Sequence, residues 1–111
     1  MFIHTKSFDK QWESLGCDDD DLAEMQEVIN NNPQANPVIR GTGGVRKTRY
    51  AFGSHGKSSG ARIIYGDFPE LGIVYLLDAY SKSEKEDITV EERKLLKVFM
   101  AKIAENWRNR K

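Results

Sequence analysis

What most limits the fold of this chain is the closeness of three strand-like runs, at residues 45–52, 61–67 and 73–80, whose connections are short and rich in glycine. The first run alternates, with Lys47 and Arg49 facing one way and Arg46, Thr48 and Tyr50 the other; in the second, Arg62 shares a face with Ile64. The third, IVYLLDAY, is the most hydrophobic. A parallel return between strands normally needs a crossover of about a dozen residues or more, usually a helix, and the gaps do not hold one. The three runs are therefore predicted to form an antiparallel meander.

On either side of the meander the apolar spacing becomes helical. Residues 2–5 can form a short first strand, after which Phe8, Trp12 and Leu15 recur at helical intervals until Gly16. Asp18, Asp19, Asp20 and Asp21 stand where a second helix would start, able to cap its amides and to favour the positive end of its dipole. Four consecutive carboxylates diverge at a helix start, so they read as a solvated cap and not as a metal site. Leu22, Met25 and Ile29 give this helix a buried stripe, and residues 30–37, with Pro33 and Pro37, break it. Thr89 and Glu92 form a capping box for a last helix, whose apolar face is Leu95, Leu96, Phe99, Met100, Ile103 and Trp107. Basic residues at 108, 110 and 111 suit its final turn.

A chain of 111 residues holds one core. Residues 1–111 are predicted to be a single α+β domain, a small antiparallel-rich β-sheet with N-terminal helices and a C-terminal helix packed on it. No apolar run approaches the roughly 20 residues of a membrane span, and MFIHTKSFDKQ lacks the apolar region of a signal peptide. No membrane partner and a cytoplasmic location are expected. The single cysteine, Cys17, agrees with a reducing compartment. The acids after it would raise its thiol pKa, so it reads as a small, part-buried residue and not as a nucleophile.

Net charge is zero, but it is unevenly distributed. Residues 1–37 carry 2 basic and 8 acidic side chains, residues 38–67 carry 6 and 1, and residues 68–111 carry 9 and 8. The middle segment sets Arg40, Arg46, Lys47, Arg49, Lys57 and Arg62 against Asp67 alone. Nucleic-acid affinity follows the local potential of a face more than total charge, so this points to a phosphate-rich partner. The acidic N-terminal third could fold back to tune it.

Two motifs invite other readings. AFGSHGKS, residues 51–58, satisfies a loose phosphate-loop pattern, and IVYLLD mimics the strand that accompanies one. That loop works only if a helix begins at its Lys-Ser, so that amides and dipole converge on phosphate. Here ARIIYG follows, which has strand character, and a hairpin connection is expected. His4 and His55 are about fifty residues apart with no cysteine or carboxylate at ligand spacing, so neither a metal nor another cofactor is expected. His55, in a glycine loop, is expected to be exposed. Tyr50, Tyr65, Tyr75 and Tyr80 are first of all strand residues, although one that reached the basic face could stack on a base.

What remains is Lys47 and Arg49 two apart on one strand, Arg62 on its neighbour, and Lys82 and Lys85 just past the third. The first pair should stand about 7 Å apart on one face, comparable to phosphate spacing along a nucleic-acid strand. An exposed face with solubilising charges would have the same pattern.

VIRGTGGVRKTR, GARIIYGDF and IVYLLDAYSKSEKEDIT followed by the ERKLLKVFMAKI helix together resemble the RelE/HigB family of bacterial type II toxins, in particular its HigB-like branch. The likeness runs from about Pro33 to Ile103. It implies a RelE-like fold and a ribosome-dependent endoribonuclease (mRNA interferase) that cuts messages without metal, by attack of a 2′-hydroxyl on the adjacent phosphate. Carried over by position, Arg62 would meet the scissile phosphate, Lys47 or Arg49 would hold the backbone and steady the attacking or leaving oxygen, and Lys82 and Lys85 match the basic segment after the last strand. Lys85, Tyr80 or His55 is left as acid or base. The expected catalytic set is Arg62, Lys47, Arg49 and Lys85, with Arg46, Lys57, Lys82 and Tyr80 binding RNA or phosphate. Ser83 stands where RelE proper often has arginine, and Ile88 and Thr89 lie near the position of its stacking aromatic. The implied partners are the ribosome, mRNA and a cognate antitoxin, a HigA-like helix–turn–helix protein. The related ParE branch implies an alternative, a non-catalytic inhibitor of a macromolecular target such as gyrase. A stand-alone nucleic-acid binder is a third reading.

Overall fold

Strands β2 (Val45–Ala51), β3 (Gly60–Phe68) and β4 (Ile73–Ser81) form the antiparallel meander that their short connections require. The short strand β1 (Phe2–His4) joins in parallel along the outer side of β4, giving the order β1-β4-β3-β2. The computed structural model describes residues 1–51, 60–81, 84 and 87–110. Most of the phosphate-loop-like segment, with His55 and Lys57, lies outside these residues. Gly60 opens β3 directly after it, so strand and not helix follows.

Alternation sends neighbouring side chains into opposite layers. Tyr50, Ala61, Ile63, Tyr65, Val74, Leu76 and Ala79 meet Phe8 and Trp12 of helix α1 (Lys6–Ser14) and Met25 and Ile29 of helix α2 (Asp19–Asn31). Val45, Ile64, Leu77 and Tyr80 meet Leu96 and Met100 of helix α3 (Val90–Arg108). The sheet is thus covered by α1 and α2 on one face and by α3 on the other. A register shift opposes Leu77 and Asp78 of β4 to Ile64 of β3, a bulge that adds one residue to β4.

The helix starts follow the sequence. The Thr5 hydroxyl accepts from the Phe8 amide at 3.0 Å and lies within reach of the Leu76 and Leu77 carbonyls, tying the start of α1 to β4. Asp18 and Asp21 form a reciprocal capping box for α2, and Thr89 and Glu92 do so for α3. Asp21 departs from the expected solvated cap. It is 9% exposed, and its carboxylate lies 3.2 Å from the Tyr50 hydroxyl, which also donates to Glu24 at 2.6 Å. Burial, then these acids, raise the Tyr50 pKa, so the hydroxyl remains a donor that joins α2 to β2. Cys17 is pushed up to about 12 by burial and then by Asp21 and Asp18, which makes it an inert thiol.

Helix α3 contacts the sheet over a narrower stripe than its sequence suggests. Met100 and Ile103 are buried, whereas Leu95 is 70% exposed and Phe99 39%. Successive residues turn by about 100°, and Leu95 and Phe99 fall on a flank that the flat sheet does not reach. The helix comes close because β3 offers Gly66: a Cβ there would stand 2.6 Å from the Met100 sulfur. Near its C-terminus the Trp107 indole donates to the Tyr75 hydroxyl at 2.8 Å, and Arg110 lies over the indole ring. Among the described residues no helix is long and apolar enough to cross a membrane.

The Gly-Thr-Gly-Gly turn before β2 is structural. Buried Thr42 accepts from the Val45 amide at 3.0 Å and donates to the Ile39 carbonyl at 2.6 Å, while Gly43 and Gly44 take the positive φ values of 74° and 110°. The turn lays residues 37–39 along the outer edge of β2, where Val38 bridges to Arg46.

Tyr50→Phe should lower stability by about 1–3 kcal/mol. It removes the donor and leaves Asp21 buried beside it, and a shift of the urea midpoint at constant slope measures the loss.

Candidate nucleic-acid interface

The register of the meander sets Arg49 directly opposite Arg62, and Arg62 directly opposite Tyr80. These three residues form one row across β2, β3 and β4. Lys47 is two residues from Arg49 on the same side of β2, opposite Ile64. This is the α3 side of the sheet, since Val45, Ile64 and Tyr80 contribute to the cluster around Met100. Directly paired strand residues lie about 5 Å apart and alternate residues about 7 Å, so three cations from two strands meet over a small area. Lys47, Arg49 and Arg62 indeed line one depression of about 360 Å³, whose rim is Asn36, Pro37 and Thr48.

The charges are not equivalent. Arg49 is exposed and Arg62 half-buried, and among the described residues neither forms an ion pair. Lys47 does: its ammonium lies 3.6 Å from Asp87, whose other carboxylate oxygen is 3.4 Å from Arg93. The Ile88 amide, then Lys47 and Arg93, hold the Asp87 pKa below the usual carboxylate value. Asp87 is a neighbour of Lys47 that the sequence reading missed. Its signal was position, an acid two residues before the Thr89 cap and just past the basic segment.

Two of the sequence-derived candidates lie differently. Arg46 is on the opposite side of β2, where its guanidinium donates to the Asn36 carbonyl at 2.6 Å and the Gln34 carbonyl at 3.0 Å. It is spent on fastening the segment before β2, beside Tyr65, whose hydroxyl donates to the Pro33 carbonyl. Tyr80 belongs to the row but is only 3% exposed, so its ring has no face for a base. Burial foremost, and Asp87 next, raise its pKa against the opposing pull of Arg62, which keeps the hydroxyl protonated at neutral pH. Lys57, Lys82 and Lys85 lie outside the described residues.

The acidic helix α2 does not reach this face, because the sheet stands between them. His4 is also remote from the row; its ring nitrogens lie 3.0 Å from Asp9 and 3.2 Å from Gln26. A carboxylate beside His4 was not expected from spacing. Among the described residues no three His, Cys, Asp or Glu side chains are grouped as a metal site would need. The depression can bind an anion with two guanidinium groups and an ammonium.

No model of a known protein family matches the sequence. Among solved structures, the fold is similar to that of the E. coli toxin RelE in its free state, in a form with two arginines changed to alanine. The TM-score is 0.54 at 18% identity, covering 78% of this chain and 86% of that one. The chain therefore has a RelE-like fold: a four-stranded mixed sheet with two helices on one face and one on the other.

The two faces of β2 separate by mutation. Arg46→Ala should cost about 1–2 kcal/mol of stability through its lost carbonyl contacts and leave affinity for a single-stranded oligonucleotide unchanged. Arg62→Ala should weaken that affinity severalfold and leave the melting temperature nearly unchanged. Thermal denaturation and fluorescence anisotropy read the two effects.

Proposed function

We propose that this protein is an mRNA endoribonuclease, the toxin of a toxin–antitoxin pair, acting on messages at the ribosome. The observation that supports the reading is the convergence of Lys47, Arg49 and Arg62 on one depression, at the end of the sheet face that α3 leaves open, in a RelE-like fold. A lone solubilising face needs no such register.

In the proposed reaction the 2′-hydroxyl attacks the adjacent phosphorus, a new P–O2′ bond forms and the P–O5′ bond breaks. The products are a 2′,3′-cyclic phosphate and a free 5′-hydroxyl, the proton lost by the 2′-hydroxyl being returned to O5′, so no water is consumed; the reading takes the charge stabilisation from side chains and not from a metal. Negative charge grows on the equatorial oxygens of the phosphorane, which is where fixed cations help most. Arg62, on the central strand and flanked on both sides, is assigned to the scissile phosphate. Arg49 and Lys47 hold the backbone to one side of it and steady the attacking or leaving oxygen. The Tyr80 hydroxyl, buried beside Arg62 and protonated, is too enclosed to serve as the base. Lys85, in the segment after β4, is assigned to proton transfer, for which its pKa must be lowered. A HigA-like helix–turn–helix antitoxin is the proposed partner, covering this basic face.

In a translating extract the wild-type protein should cut message, and Arg62→Ala should lower the rate by about 10²–10³ while the fold persists. A message with a single 2′-deoxy nucleotide at the cut site should survive. Growth arrest that persists in Arg62→Ala with message intact would overturn the nuclease reading in favour of an inhibitor of another macromolecular target.

A further inference from the structure

The three cations in the depression differ in one respect that the proposed chemistry does not use. Lys47 is engaged by Asp87 at 3.6 Å, while Arg49 and Arg62 have no acid partner among the described residues. Asp87 comes from the segment between β4 and α3 and is itself held at three points. One oxygen accepts from the Ile88 amide at 2.8 Å and faces Lys47; the other lies 3.4 Å from Arg93, whose guanidinium also reaches the Arg40 carbonyl. The carboxylate therefore occupies the place beside Lys47 that a phosphate oxygen would take.

We propose that Asp87 is an exchangeable counter-ion of the RNA site, neutralising the Lys47 ammonium until a phosphate of the bound strand displaces it. This rests on the reading of the depression as an RNA site. The exchange is physically easy in both directions. Both partners are partly exposed, 26% for the lysine side chain and 46% for the aspartate, and an ion pair in that setting is weak. Arg93 and the Ile88 amide stay with Asp87 when Lys47 turns away, so no carboxylate is left without a partner. In the free protein the same contact lowers the net charge of the face. Asp87 thus raises the threshold for binding a short or singly charged anion, and favours a strand that presents several phosphates at once.

The test is the salt dependence of binding of a fluorescent uridine decamer to the intact protein, comparing wild type, Asp87→Asn, Lys47→Ala and the double variant. Asparagine keeps an oxygen for the Ile88 amide and removes the charge. Asp87→Asn should bind about two- to fivefold more tightly at low salt, and its plot of log affinity against log salt should keep close to the wild-type slope, because Lys47 meets a phosphate in both complexes; Lys47→Ala should flatten that slope by roughly 0.7, the value for one phosphate contact on a single strand. The gain in affinity should vanish in the Lys47→Ala background. A merely structural role for Asp87 predicts weaker binding, and general charge repulsion predicts a gain that survives Lys47→Ala; either result overturns the proposal. Should Asp87→Asn not fold, Arg93→Met tests the contact from its other side. Asp87 then keeps only the Ile88 amide and Lys47, and affinity should fall by an amount that Lys47→Ala abolishes; unchanged affinity overturns it. Binding by wild type that is lost in Arg62→Ala, with Asp87→Asn equal to wild type, sinks the counter-ion role alone. No salt-dependent binding by any form removes the RNA reading together with it.

Discussion

The central strand β3 is buried on both faces from Ala61 to Gly66 except at Arg62, and the rest of the arrangement turns on that exception. A guanidinium sealed between a sheet and a helix would lose its hydration with nothing in exchange. It is tolerated because α3 lies over the other end of the same face, drawn down onto Gly66 by Met100. The footprint of one helix thus decides where the sheet can carry charge. Arg49 and Lys47 follow from the pairing of β2 with β3, and the opening exists because the helix stops short of it.

The alternation of β2 and β3 was legible in the sequence, and with it the common face of Lys47, Arg49 and Arg62. The direct pairing of Arg49 with Arg62 was not, because the β2–β3 register depends on the loop that joins the two strands. Arg46 shows the limit of counting charges. Its parity already placed it with Tyr50, yet its engagement with the Gln34 and Asn36 carbonyls needed the fold of a proline-rich segment. Tyr80 was correctly read as a strand residue; how deeply it sinks depends on Ile88 and Met100, which come from distant positions. Leu95 and Phe99 looked like core because periodicity marks an apolar face without marking how wide a flat sheet can cover.

The segregation of charge also has a simple origin. Three acids of the N-terminal third, Asp18, Asp21 and Glu24, are engaged by the cap of α2 and by Tyr50, in the layer opposite the cations. The sheet stands between the two sets. Neutrality of the whole chain is therefore compatible with a cluster of cations on one face, and an acid that does reach that face, Asp87, arrives from the C-terminal part.

The two indoles are divided between the layers. Trp12 stacks on Phe8 at 5.6 Å and lies 5.8 Å from Tyr50, whereas Trp107 donates to Tyr75 beneath Arg110 at the far end of α3. Each tryptophan therefore reports on a different half of the molecule. With one replaced by phenylalanine, the emission of the other becomes a built-in optical gauge, able to tell whether the two sides of the sheet come apart together or in sequence.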